Sequence, residues 1–177
     1  MDSWTLVDAI LPDLSDALVN HGCALLEAAP GAGKSTRVPL SLLKAGWGSA
    51  GRILMLEPRR VAARSVASFM ASQRGEPVGQ TVGYRTRTDT RISAGTRLEV
   101  VTEGVLTRMA LSDPELRGIA LVIFDEFHER SLNADLGLAL VREIREAFRP
   151  DLGLLVMSAT LDCGPLVTML DAPVIRS

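Results

Sequence analysis

Residues 23–36 constrain this chain more than any other stretch. An apolar run, Cys23–Glu27, passes through Ala28-Ala29 into Pro30-Gly31-Ala32-Gly33-Lys34-Ser35-Thr36, where a helical pattern begins. A strand that turns through glycines straight into a helix leaves backbone N–H groups and a helix N-terminus aimed at one spot, a geometry that receives phosphate. Gly31 and Gly33 let the backbone fold inward, Lys34 is spaced to reach the β- and γ-phosphates of a nucleotide, and Ser35 offers its hydroxyl to Mg²⁺. Thr36 is a second hydroxyl whose part the spacing leaves open. The eight-residue form of such a loop starts on glycine, and here that position holds Ala28, small enough for the corner.

The rest of the chain repeats the alternation. Apolar runs at 23–27, 52–56, 97–101, 119–124 and 153–157 read as buried strands, with 80–85 a weaker sixth. Helical patterns lie between them at 34–44, 60–74, 103–110 and 132–148. In the last, Leu132, Leu136, Leu140, Ile144 and Phe148 recur every four residues as the apolar face, Arg142, Glu143, Arg145 and Glu146 fill the other, Ser131 caps the start and Pro150 stops it. Residues 13–20 read as a short lead-in helix. A further short helix follows Asp162, and 173–176 is a last strand or the start of a linker. Alternation of this kind predicts an α/β fold, a mainly parallel sheet with helices on both faces, and ligands at the carboxyl ends of its strands.

The other chemical motifs fall at such ends. The run 119–124 ends in Asp125-Glu126-Phe127-His128. A carboxylate at the tip of a buried strand beside a phosphate loop is placed for Mg²⁺, which points to Asp125; Glu126 would orient and deprotonate an attacking water. No His or Cys near His128 completes a zinc site, which leaves it a turn-capping residue or a coupling one. Ser158-Ala159-Thr160 ends the next strand, where the two hydroxyls would bond the acidic segment and relay nucleotide state. Glu57-Pro58-Arg59-Arg60 and Thr102-Glu103-Gly104 end two more strands. Arginines, a hydroxyl and helix N-terminal N–H groups hold phosphate chains without reading bases. Arg85 and Arg87 either extend that surface or are ordinary solvated charge paired with nearby glutamate.

Composition bounds the function. The 177 residues suit one domain, and 47% are apolar. No window holds the ~18 apolar residues of a membrane span, and no basic-then-apolar leader opens the chain. Cys23 and Cys163 match no metal or redox spacing and read as reduced, buried thiols, consistent with a cytoplasmic protein. Net charge is −2, with seventeen Arg and only two Lys, so a nucleic-acid reading has to rest on local clusters.

Taken in order, these motifs resemble those of superfamily 2 helicases of the DEAH/RHA group. The phosphate loop stands as motif I, 57–60 as motif Ia, 102–104 as motif Ib, 125–128 as motif II and 158–160 as motif III; the stretches 26–39, 56–64, 100–109, 123–138 and 155–162 carry the match. The resemblance implies a RecA-like P-loop NTPase domain over 1–177, with 1–20 a helical lead-in and 171–177 the start of an interdomain linker. It implies ATP and Mg²⁺ as cofactors, Lys34, Asp125, Glu126 and His128 as catalytic residues, Arg59, Arg60, Arg85, Thr102, Glu103 and Gly104 toward RNA or DNA, and Ser158, Ala159 and Thr160 in coupling. A second RecA-like domain, the partner in cis, would carry the arginine finger. Three positions depart from the family pattern: Phe127 stands in the acidic box where alanine is usual, Ala29 where proline is expected, and Phe69 where relatives often place an arginine against the base. Phe69 is then either an apolar platform for the nucleotide base or a core residue. Two other readings stay open. A small-molecule kinase would need a lid with arginines, and a nucleotide-binding module would keep the fold without turnover.

Overall fold

The structure, a computed structural model, describes residues 3–160 and 164–177; the expectation for Cys163 lies outside them. The strands are β1 (Cys23–Glu27), β2 (Arg52–Leu56), β3 (Val82–Arg85), β4 (Thr90–Arg91), β5 (Leu98–Val101), β6 (Ile119–Phe124), β7 (Gly153–Ser158) and β8 (Val174–Arg176). They form one sheet in the order β4-β3-β5-β2-β6-β7-β1-β8, parallel throughout except for the β3–β4 pair. The central strands are apolar on both faces because both are covered, as a parallel sheet requires. Period-2 alternation divides them. Ala24, Leu26, Ile53, Met55, Leu121, Ile123, Leu155 and Met157 enter one core, and Cys23, Leu25, Leu54, Leu56, Val122, Phe124, Leu154 and Val156 the other.

Helices α1 (Ser3–His21), α2 (Lys34–Lys44) and α4 (Arg60–Gln73) supply the first core through Val7, Leu14, Leu18, Val38, Leu42, Ala63, Ala67 and Met70. Trp47, from the one-turn helix α3 (Trp47–Ala50), packs against it. The second core is closed by α5 (Glu103–Ser112), α6 (Leu132–Ala147) and α7 (Gly164–Leu170), through Val105, Leu106, Leu138, Val141, Ile144 and Leu166.

Several expectations change. The lead-in helix is 19 residues long and runs straight through Pro12. An interior proline costs ~3 kcal/mol, and burial of Val7, Leu14, Ala17 and Leu18 along one stripe offsets it. The apolar face of α6 is Ala134, Gly137, Leu138, Val141 and Ile144, while Leu132, Leu136 and Phe148 are exposed. A strict four-residue repeat drifts about 40° per step on a 3.6-residue helix, so five such positions wind around it rather than share a face. Gly137 lies on the true face, where an added Cβ would meet Leu106 and Phe124 at 3.4 Å, and so lets α6 sit close on the sheet. Of the two readings for 173–176, the last strand is the one seen: Val174–Arg176 is an edge strand parallel to β1, with the Leu25 N–H bonded to the Pro173 carbonyl. The strand expected at 97–101 begins at Leu98, and β4 is a two-residue edge strand with no apolar run to announce it.

Candidate nucleotide and nucleic-acid site

The strand order sets the loops after β1, β6 and β7 side by side, with those after β2 and β5 next to them. The loop after β1 turns on two left-handed glycines, Gly31 (φ 76°) and Gly33 (φ 83°), and Gly33 is the N-cap of α2. Around Gly31 an added Cβ would meet nothing within 4 Å, so glycine is needed there for its backbone angle and not for room. Pro30 and Gly31 are exposed and Ala32 is buried beneath them. The Thr36 hydroxyl donates to the Gly33 carbonyl at 3.3 Å, tying the loop to the first turn of α2. That gives this hydroxyl the part the sequence left open.

Lys34 is 3% exposed, and its Nζ lies 3.0 Å from Glu126 Oε1. Glu126 has φ 51° and starts the 3-10 turn Phe127–Glu129. Its other carboxylate oxygen lies 3.1 Å from His128 Nε2, and His128 Nδ1 accepts the Ala159 N–H at 3.1 Å. An Nδ1 that accepts leaves the imidazole proton on Nε2, directed at Glu126. Asp125 is buried; its Oδ1 accepts the Glu126 N–H at 2.9 Å, and Oδ2 has no hydrogen-bond partner among the described residues. Burial raises the Asp125 pKa above its ordinary value, partly countered by the nearby Ser35 hydroxyl. The Ser35 hydroxyl and the Asp125 carboxylate, one oxygen of it buried and unpartnered, are hard oxygen donors that suit Mg²⁺, and Ser35 and Asp125 would hold it.

The Ser158-Ala159-Thr160 segment joins these loops by a route the sequence did not suggest. The Ser158 hydroxyl does not carry it: Ser158 Oγ donates to the Thr160 carbonyl at 2.8 Å, inside its own turn. Backbone groups make the links instead. The Ser158 carbonyl accepts the Ala28 N–H at the base of the phosphate loop, and the Ala159 N–H reaches His128.

Phe69, on α4, is 44% exposed and does not pack into the core. It lines a cleft of about 540 Å³ with Thr36, Arg37 and Leu40 of α2 and Asp8 and Leu11 of α1. Arg37 pairs with Asp8 across that cleft. The part of α1 before Pro12, outside the short helix read at 13–20, therefore supplies one wall.

The candidate nucleic-acid residues divide. Arg59 is exposed, with its guanidinium 3.2 Å from Glu129, and Arg60 and Arg87 are exposed. Thr102 caps α5 with its carbonyl, and Gly104 stands exposed in open space. Arg85 is drawn away: its Nε lies 2.9 Å from Oε1 of Glu99, which is 0% exposed, and Arg52 holds the other oxygen at 3.1 Å. Two guanidiniums are what a buried carboxylate needs, so Arg85 follows the paired-charge reading. Glu103 is also engaged, accepting the Ser131 hydroxyl at 2.8 Å. The sequence named Glu57 only as the opening of the 57–60 motif and gave it no role of its own. It is 2% exposed, and burial first, then the charges of Asp125 and Glu126, raise its pKa to about 8. Its signal was an acidic residue directly after the apolar run 53–56.

The chain is similar to known proteins over nearly its full length. It is 56% identical over 172 residues to the ATP-dependent RNA helicase HrpB of Escherichia coli (strain K12), covering 97% of this chain and 21% of that protein. It is 37% identical over 150 residues to the ATP-dependent RNA helicase HrpA of Borreliella burgdorferi, covering 85% of this chain and 18% of that protein. The crystal structure of the Escherichia coli DEAH/RHA helicase HrpB superposes with a TM-score of 0.92 over 97% of this chain and 22% of that one. A second, titled as the E. coli DExH-box NTPase HrpB, gives 0.93 over 100% and 22%. The chain thus spans about a fifth of the length of these relatives, and its mostly parallel eight-stranded sheet is that of their RecA-like domain. A family model described as DEAD/DEAH box helicase matches residues 9–166, and the chain belongs to that family.

Proposed function

We propose that this chain is the ATP-binding motor domain of a longer, two-motor RNA helicase. Its hydrolysis of Mg-ATP would drive movement along, or remodelling of, single-stranded nucleic acid. The observation that carries this reading is the contact of Lys34 with Glu126, because it puts the phosphate-binding cation and the candidate base at one point. RNA is favoured over DNA because the relatives are described as RNA helicases. A second RecA-like domain in cis would close the cleft and supply the arginine finger.

Each residue has a stated task. Backbone N–H groups of residues 31–35 and the Lys34 ammonium bind the phosphates, Lys34 leaving Glu126 for them. Ser35 and Asp125 would hold Mg²⁺, which would supply positive charge against the phosphates. Glu126 takes a proton from the water that attacks the γ-phosphate. His128 orients Glu126 through its Nε2–H and ties it to the Ala159 N–H, so the loop after β7 responds to what Glu126 does. Phe69 offers the base a flat apolar face in the cleft beside Thr36. Arg59, Arg60, Thr102 and Gly104 face the sugar–phosphate chain.

Glu126→Gln in the full-length protein tests the assignment. The amide keeps its size but takes no proton from water. Nucleotide affinity should stay within about twofold while single-stranded-RNA-stimulated hydrolysis falls by ~10²–10⁴. Ordinary turnover in that variant would move the base elsewhere. Stimulation by a small phosphate acceptor and not by RNA would favour a kinase.

A further inference from the structure

Glu103 sits in the loop proposed to meet nucleic acid, yet it has the wrong sign for a phosphate chain and is already committed. It accepts the Ser131 hydroxyl at 2.8 Å, across 28 residues of sequence. The same Ser131 oxygen accepts the Ala134 N–H at 2.9 Å and caps α6. One hydroxyl therefore caps a helix and fastens its start to the first residue of α5.

The segment it fastens is strained. Between Asp125 and Ser131 the chain holds two non-glycine residues at positive φ, Glu126 at 51° and Arg130 at 38°. Each is a strained conformation that persists only where the surroundings impose it. At the near end Asp125 imposes it by accepting the Glu126 N–H. At the far end stand the Glu103–Ser131 bond and, one turn earlier, the Arg59–Glu129 pair. Both far-end ties come from the loops after β2 and β5, which carry the candidate nucleic-acid residues.

We propose that Glu103 is a positioning residue: through Ser131 it sets the turn that carries Glu126 and His128, and so makes turnover depend on what occupies the Thr102–Gly104 loop. This rests on the helicase reading above. A phosphate chain settling on the α5 N-terminus, where Gly104 leaves space, shifts Glu103 by tenths of an ångström. Ser131 passes that shift to a segment whose backbone angles are poised to change.

The test separates this bond from helix capping, in the full-length protein with ATP and single-stranded RNA. Ser131→Asp still caps α6 but sets a carboxylate against Glu103; Ser131→Thr keeps both the cap and the donor. The RNA-stimulated kcat should fall about fivefold or more in Ser131→Asp and in Glu103→Ala, and stay within about twofold in Ser131→Thr. RNA affinity should change little in all three. The pair Ser131→Asp with Glu103→Gln restores the bond with donor and acceptor exchanged, and should recover most of the lost stimulation. A Ser131→Asp protein that is stimulated like the parent overturns the proposal, as does a Glu103→Ala protein that loses RNA affinity but keeps kcat at saturating RNA. A parent protein that RNA does not stimulate overturns the helicase reading itself, and the coupling with it.

Discussion

Lys34 Nζ and Glu126 Oε1 stand 3.0 Å apart, the lysine 3% and the glutamate 20% exposed. Each charge is partner to the other. On the reading proposed above, bound nucleotide would offer Lys34 a more highly charged partner and free Glu126 to turn toward water.

Lys34→Ala removes a buried, charge-assisted contact and should lower ADP affinity by about 10–100-fold, the ~1.5–3 kcal/mol of a hydrogen bond to a charged group. The fold should survive, because the two cores do not depend on this side chain. Calorimetry with Mg-ADP checks it, beside a circular-dichroism melt. Equal affinity for parent and variant would remove the phosphate-loop assignment.

Glu57 predicts a pH dependence of stability. Its carboxyl titrates at about 8 in the folded protein against an ordinary 4.5. Between those values the native state binds the proton and the unfolded chain does not, so stability falls as pH rises. The contribution is full below pH 4.5 and lost as pH passes about 8. Glu57→Gln cannot ionise. Its melting temperature should exceed the parent's by about 2–4 °C for each ~1 kcal/mol near pH 9, and match it near pH ~5. Parallel Tm–pH curves for the two proteins would refute the burial argument.

These residues also show what a sequence can disclose. The phosphate loop spans seven consecutive residues and the acidic box four, each at the end of an apolar strand, so local pattern and position suffice to find them. The same period-2 logic yields the central strands. Glu57 becomes unusual because the fold buries it and because β6, lying beside β2, sets Asp125 next to it. The Glu103–Ser131 bond joins residues 28 apart, and Ser131 alone reads as nothing more than a helix cap. For Arg85 the sequence leaves open a nucleic-acid contact or a pairing with some glutamate, and only the pairing of β3 with β5 brings it against Glu99. For α6 the misreading was of phase: the four-residue repeat of leucines is real, but packing on the sheet selects the 3.6-residue face through Ala134 and Leu138.

Phe69 should contribute binding energy without base choice. It presents an exposed ring to the cleft beside Thr36, and every base has a face to lay on it. Phe69→Ala should weaken Mg-ADP and Mg-GDP by similar factors, within the ~1–3 kcal/mol of a base–aromatic stack. Competition binding of both nucleotides to parent and variant reads this out. A variant that loses one base selectively, or neither, would show that the ring is not the platform.

The 177-residue chain, purified alone, should bind nucleotide and turn it over slowly. Phosphoryl transfer relies on positioning and on charge placed against the transferring group, and an arginine finger supplies ~10³–10⁵ of the rate. In the chain itself Lys34 meets that need from one side, while Arg59 lies on Glu129 and Arg85 on Glu99. The opposing wall and its arginine are expected from the second motor domain. Half of the phosphate contacts to nucleic acid would come from there too, so RNA binding by this chain should be weak and should fall steeply with salt as counterions are released. Turnover by the isolated chain at the rate of the two-domain protein would overturn this, provided Lys34→Ala abolished the activity and so excluded a contaminating ATPase.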